Sequence, residues 1–182
     1  MCQATTHRVC GVHSARQVHI RYGVEYNYFW YNRFMKPGIN YVGISTPFYC
    51  NDGKGNFVLH KRSKNCRDEQ GRWDTGSGQL YFNQTVAENV LREVEEEYGC
   101  KGKIQEQLPA HSLFRKRNGR RTHWLIIPSF VLVNPKKVKI NEPHKADEIG
   151  WFTLDNLPKP LHTGFQFTLK KYKKYFRKYK GS

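Results

Sequence analysis

The sequence predicts an α/β fold, a mixed β-sheet held between helices, and three observations predict it. Strand-like segments stand both before and after one well-capped internal helix, an Asn-Gly turn closes a second hairpin, and the chain ends in a basic amphipathic helix. Each helix can cover one face of the sheet. A length of 182 residues supports one hydrophobic core with at most a short appendage rather than two full domains.

Residues 1–34 differ from the rest of the chain. Residues 1–24 contain no acid, and Arg8, Arg16 and Arg21 are scattered among Ser, Thr and His without the period of a helix or a strand. The aromatic run Tyr26, Tyr28, Phe29, Trp30, Tyr31 and Phe34 then stops at Met35-Lys36-Pro37-Gly38. Residues 1–34 are therefore expected to be an N-terminal extension outside the fold, with a targeting peptide as the alternative, and residues 35–182 the folded domain. In that domain residues 41–50 are rich in β-branched and aromatic side chains, residues 51–55 (Asn-Asp-Gly-Lys-Gly) are turn chemistry, and residues 56–62 form a second strand. A polar loop runs to Trp73. Thr85 and Glu88 make a capping box opening a helix that closes at Gly99, with Ala87, Leu91, Val94 and Tyr98 expected on its apolar stripe. Residues 111–117 and 120–133 flank Asn118-Gly119, a tight-hairpin signal. Residues 139–141 read as a loop or short strand, residues 149–153 as a short strand, and residues 161–179 end in the basic helix.

Composition narrows the function classes. Lys and Arg number 31 against 15 Asp and Glu, a formal charge of +16, which points toward polyanions such as nucleic acid or nucleotides. No run approaches 18 consecutive apolar residues, so a membrane-spanning helix is excluded. The five cysteines are odd in number, widely spaced and without a Cys-x-x-Cys pair, which argues against a disulfide framework or zinc knuckle and for a reducing, cytoplasmic setting. Cys10 with His7 or His13 lacks a second half for a metal site.

The chemistry gathers between residues 78 and 100. Glu93, Glu96 and Glu97 stand at i, i+3 and i+4 and so share one side of the helix. Converging carboxylates repel one another unless a cation neutralises them, and hard oxygen ligands favour Mg²⁺ or Mn²⁺ over zinc. A solvated acidic helix face is the alternative reading of the same residues. Five of the 15 acids lie within residues 88–97 of an otherwise basic chain.

This segment resembles the Nudix box, the pattern Gly, five residues, Glu, seven residues, Arg-Glu, aliphatic, any residue, Glu-Glu, any residue, Gly, aliphatic. Gly78, Arg92, Glu93, Val94, Glu96, Glu97 and Gly99 match, Cys100 is an acceptable small apolar terminus, and Gln84 departs from the first Glu. Six fixed residue types at roughly 6% each would coincide by chance in about one chain in a hundred thousand, so the motif is specific. The strand from Tyr41, the approach from Trp73 to Gly78, Asn141-Glu142-Pro143-His144-Lys145, Glu148 to Phe152 and Leu157-Pro158 extend the resemblance, to the MutT-like branch, over about residues 38–178.

The resemblance implies a Nudix α/β/α sandwich whose loop-helix-loop carries divalent ions, Mg²⁺ or Mn²⁺. It also implies hydrolysis of a nucleoside diphosphate-linked substrate, a nucleoside triphosphate or NDP-X, by water attack on phosphorus. By position, Glu96 and Glu97 would be the principal metal ligands and Glu93 a ligand or the residue orienting the water, with Arg92 holding the glutamates in register. Gly78 would let backbone approach helix and phosphates. Arg62, Trp73, Asp147 and Glu148 are expected beside the substrate, the two acids either as the later-loop carboxylate or as ordinary surface groups. Gln84 removes a charge beside Arg92, and Tyr81 and Asn83 stand where this branch commonly has Glu and Gly, so a catalytically weak nucleotide- or RNA-binding protein, or an RNA-cap hydrolase, is the competing class. Family members are often dimers, which implies a homodimer here.

Two basic segments remain. Arg115, Lys116, Arg117, Arg120 and Arg121 surround the Asn118-Gly119 turn, and residues 170–180 carry seven basic residues interleaved with Tyr172, Tyr175, Phe176 and Tyr179. A helix packing its aromatic side on the sheet explains the second, and RNA binding is the alternative. Trp124 is expected in the core, while His123 and Trp73 suit either core or base stacking.

Overall fold

The computed structural model describes residues 35–117 and 119–180, so the expectations for residues 1–34 and for Asn118 lie outside the described residues. The elements run β1 (Gly43–Asn51), β2 (Asn56–Arg62), β3 (Trp73–Asp74), β4 (Gly76–Gln79), α1 (Val86–Tyr98), β5 (Gly102–Gln107), β6 (His111–Arg117), β7 (Arg120–Ile126), β8 (Ser129–Val133), β9 (Ala146–Thr153), α2 (Thr163–Lys171) and α3 (Lys173–Lys178). Among the described residues no helix is long and apolar enough to cross a membrane.

The strands form one mixed sheet with β1 at its centre. β1 runs antiparallel to β4, parallel to β7 at one end (Gly43 opposite Trp124) and parallel to β8 at the other (Phe48 opposite Ser129). The first hairpin pairs at Asn51 opposite Phe57, after which β2 leaves β1 to pair with β9 along its length. Because side chains alternate across a strand, a sheet buried on both faces needs consecutive apolar residues rather than every second one. β1 and β2 have them. Phe48, Cys50, Val58, Val131 and Val133 pack on one face under Val90, Val94 and Tyr98 of α1, while Tyr49, Phe57, Leu59 and Phe130 pack on the other under Phe165, Tyr172 and Phe176. The result is the expected α/β/α sandwich.

Several elements differ from the sequence expectation. In α1, Ala87 and Leu91 are exposed, and the buried face is Asn89, Val90, Glu93, Val94 and Tyr98. Polar contacts decide this: Asn89 donates to Thr46 Oγ1 (2.6 Å), and Glu93 lies against Gly78, which has no Cβ to exclude it. The strand expected over residues 120–133 breaks at Pro128, which has no N–H to give a ladder. Ile127 N donates to Ser45 O and Leu108 N to the Pro128 carbonyl, and β8 resumes at Ser129. Residues 139–141 form a loop because Lys139 N and Asn141 N donate to the carbonyls of Tyr98 and Glu97 at the end of α1. The last strand begins earlier than expected, at Ala146. The terminal helix is two helices, α2 and α3, meeting at Tyr172.

Candidate active site

The site is built on α1 and the glycine-rich strand beneath it. Thr85 accepts from Glu88 N and receives the Glu88 carboxylate on its own N–H, the reciprocal cap the sequence predicts, and Gly99 ends the helix in the left-handed region (φ 62°). Gly76 and Gly78 on β4 face the helix. A Cβ at Gly78 would overlap the Glu93 carboxyl, and one at Gly76 would strike the Phe48 ring and reach Glu97 Oε2. Only a bare backbone leaves room for both carboxylates.

The three glutamates are not equivalent. Arg92 donates to Glu93 Oε1 and to Glu96 Oε2, both at 2.6 Å, and to Asn89 Oδ1 at 2.8 Å. It therefore ties Glu93 and Glu96 together, with Glu96 on the exposed flank and Glu93 buried. Glu97 stands apart. Its Oε1 receives a long hydrogen bond from Ser77 N (3.4 Å), and its Oε2 is buried without a partner. Burial, then the charge of Glu93, pushes its carboxyl well above the usual range, with Glu142 adding to the shift and Ser77 N and Lys145 opposing it. Burial likewise raises Glu93, against the pull of Arg92.

The loop after β8 brings Glu142 to this cluster, while Asp147 and Glu148 are not brought there. Asn141 fixes that loop through Nδ2 bonds to the Glu95 and Glu96 carbonyls, and Lys145 Nζ clasps Glu142 at 2.7 Å. Asp147 is exposed, and Glu148 pairs with Lys61 on the surface (2.6 Å). Nothing in the sequence spacing marked Glu142, a single acid before a proline.

Among the described residues Gln84 Oε1 and Arg92 Nε are both buried without partners, and the Arg92 guanidinium lies 5.3 Å from the Tyr81 ring centre. Asn83, where glycine is common in the resembled branch, sits at φ 63°, a conformation that Asn tolerates better than most residues.

Two cavities adjoin this face. One, of about 430 Å³, is lined by Glu97, Glu142, Lys145 and His60, whose Nδ1 lies 3.1 Å from the Tyr98 hydroxyl and whose burial lowers its pKa. The other, of about 330 Å³, is lined by Trp124, Leu113, His111, Asp74 and His162, and Gly78 also borders it. Arg62, Arg67, Thr75 and Ser77 border both. Arg62 is fixed in the join by Asp68 (2.8 Å) and Asp74 (3.3 Å). Trp73 lies elsewhere, its ring edge-on to Phe152 at 5.2 Å in the aromatic core. Trp124, expected in the core, is half-buried and forms cavity wall.

The donor set suits a hard divalent cation: carboxylate oxygens, one of them buried and unpartnered, beside a second buried carboxyl. Among the described residues no three His, Cys, Asp or Glu side chains stand together as a closed ligand set, because Arg92 holds Glu96 to the outer side. The fit therefore rests first on Glu97.

Comparison with known proteins agrees with this architecture. The NUDIX domain family matches residues 43–173. A MutT NUDIX hydrolase from Burkholderia pseudomallei is 25% identical, with a TM-score of 0.62 over 71% of this chain and 97% of its own. A MutT protein from Methanosarcina mazei Go1 is 23% identical (TM-score 0.58, 78% and 97%), and a UDP-X diphosphatase 17% identical (TM-score 0.58, 86% and 74%). The chain belongs to the NUDIX family. It is a hydrolase of that family.

Proposed function

We propose that this protein hydrolyses a nucleoside triphosphate or NDP-X substrate by attack of water on phosphorus, with Mg²⁺ or Mn²⁺ held by Glu93, Glu96 and Glu97. Glu142 is proposed as the later-loop carboxylate in place of Asp147 and Glu148. The observation that carries the reading is the pair of cavities with Arg62 and Arg67 at their join. A compartment that holds the Glu97 and Glu142 carboxylates, suited to a phosphate-bound cation, adjoins one with an indole wall and imidazole edges, suited to a planar base. The likeness in fold to a UDP-X diphosphatase supports NDP-X as one substrate class.

When bound, the ion would neutralise phosphate charge and acidify the attacking water. The chain's own residues position the rest. Arg62, braced by two aspartates, presents a fixed cation where the diphosphate passes. Gly78 keeps the β4 backbone close to Glu93. His60, with its pKa lowered by burial, offers a neutral imidazole beside the Glu97 and Glu142 carboxylates. Asp74 and His162 present polar edges to the other cavity.

The test is a phosphate- and mononucleotide-release screen over nucleoside triphosphates and NDP-sugars with Mg²⁺ and Mn²⁺. Turnover that requires the divalent ion is expected. Full turnover in excess chelator would overturn the metal assignment, and no release from any substrate with either ion would leave a binding module instead.

A further inference from the structure

We propose that the outer face of the β6–β7 hairpin binds single-stranded nucleic acid, with Phe114 as the platform for an unpaired base and Lys116 and Arg121 as phosphate contacts. Strand alternation gives this hairpin two faces. Leu113, Arg115, Thr122 and Trp124 point to the cavity, so their neighbours Phe114, Lys116, Arg121 and His123 point away from it.

The outer face is unusual in three respects. Phe114 is 71% exposed, and its ring stacks on that of His123, its cross-strand partner, with centroids 4.4 Å apart and planes 30° from parallel. His123 is held in turn by Ser112 Oγ at 3.1 Å. The pair is thus a supported aromatic platform open to solvent. Next along the strands Lys116 stands directly opposite Arg121, a like-charge pairing that destabilises a bare ribbon and that an anion relieves. Among the described residues, neither Lys116 nor Arg121 has a carboxylate partner, whereas Arg115, one residue away on the cavity face, has Glu69 at 3.4 Å.

Cations beside a stacking surface match the two parts of a nucleotide strand, phosphate and base. A base can lie on Phe114 only if it is unpaired, which selects single strands over duplex. The terminal helices are a weaker candidate for the same ligand. Lys178 pairs with Glu106 at 2.9 Å, Lys180 with Asp155 at 2.7 Å, and Tyr172 and Phe176 are buried in the core.

Fluorescence anisotropy with a labelled 12-mer RNA of mixed sequence, its duplex, and poly-glutamate of equal charge decides the matter. The single strand is expected to bind tightest and to weaken steeply with salt. Phe114→Ala should weaken it by about 5- to 100-fold, and Phe114→Tyr should preserve it. Arg121→Ser should flatten the salt slope by about one. The thermal midpoint and hydrolysis of small nucleotides should be unchanged in Phe114→Ala, whose side chain is exposed and faces away from the cavity. The proposal is overturned by no binding at low salt, by duplex or poly-glutamate binding as tightly as the single strand, by indifference to Phe114→Ala, or by losses confined to Lys173→Gln and Arg177→Gln in α3.

Discussion

The buried side of α1 and the outer face of the β6–β7 hairpin both crowd charges of one sign, but at opposite depths. Glu93 and Glu97 are carboxylates enclosed by β4, where burial raises both pKa values and the charge of Glu93 adds to the rise at Glu97. Lys116 and Arg121 are cations facing each other in solvent, where screening keeps repulsion small. Depth sets what each can bind. An enclosed carboxylate with an unpartnered oxygen calls for a small ion at a fixed position, because desolvation makes an uncompensated charge costly. An exposed cationic pair tolerates its own repulsion, and suits a long, hydrated polyanion whose phosphates need no single register.

The sharpest way to break this contrast is Glu97→Gln. Turnover is expected to fall by more than the 10- to 100-fold that loss of an outer partner of a metal site causes. Thermal melting of the metal-free variant should show a midpoint at or above the parent's, since an amide avoids ionising a buried group. A variant as active as the parent would remove Glu97 from the ligand set. A marked drop in melting midpoint would show that the enclosed charge is not a cost at all.

Gln84→Glu sharpens the same side of the comparison. Among the described residues Gln84 Oε1 and Arg92 Nε are both buried and unpartnered, so a carboxylate at residue 84, where the family motif has Glu, is expected to add a third charge to the two that Glu93 and Glu96 already give Arg92. Metal affinity or turnover should rise within about 10- to 100-fold, the scale of outer-partner effects in metal sites. Titration of Mn²⁺ with the variant and the parent checks this directly, and equal affinities would mark Gln84 as simply tolerated.

Legibility in the sequence divides along the same line, between local rules and tertiary contacts. The capping box, the αL glycine and the β6–β7 hairpin rest on local rules, and each stands where those rules place it. β3 and β4 were not legible, because Asp74-Thr75-Gly76-Ser77-Gly78 has little strand propensity and is held extended by pairing with β1 and β2. The buried face of α1 was misjudged because periodicity ranks Leu91 above Glu93, whereas the absent Cβ of Gly78 gives Glu93 the interior. Glu142 reaches the cluster through a loop fixed by the end of α1, a tertiary contact without a sequence period. Phe114 carries no sequence signal for its face, and the register sets it against His123 on the outer one.

Glu69 tests the inner face of the hairpin. It joins the loop after β2 to the start of α2, accepting from Thr163 N (2.8 Å) and Thr163 Oγ1 (2.6 Å), with Arg115 and His162 at its other side. Burial raises its pKa, but the Thr163 bonds, with His162 and the Arg115 guanidinium beside them, outweigh this and leave the carboxyl below its usual value. A depressed pKa contributes stability above the ordinary glutamate range, and that stability is lost as pH falls through the folded value. Glu69→Gln should therefore cost about 1–2 kcal/mol at neutral pH, with the difference from the parent closing in acid. Denaturant melts at several pH values measure it, and a gap that widens on acidification would contradict the assignment.

The smallest effect expected is that of Lys178→Gln combined with Lys180→Gln, and it sets the hairpin against the terminal helices. Both lysines are half-exposed and already paired, with Glu106 and Asp155. Surface pairs of this kind add little to stability, so the melting midpoint should not measurably move. Their charges are also compensated, so single-strand RNA should lose little affinity, in contrast to its response to Arg121→Ser. Removing two positive charges lowers the net charge twice as far as removing one. A ligand that read only the overall field of a +16 protein would therefore respond more to the double variant. A larger loss with the lysine pair than with Arg121→Ser would thus show that net charge, and not the unpaired cations beside Phe114, recruits the strand.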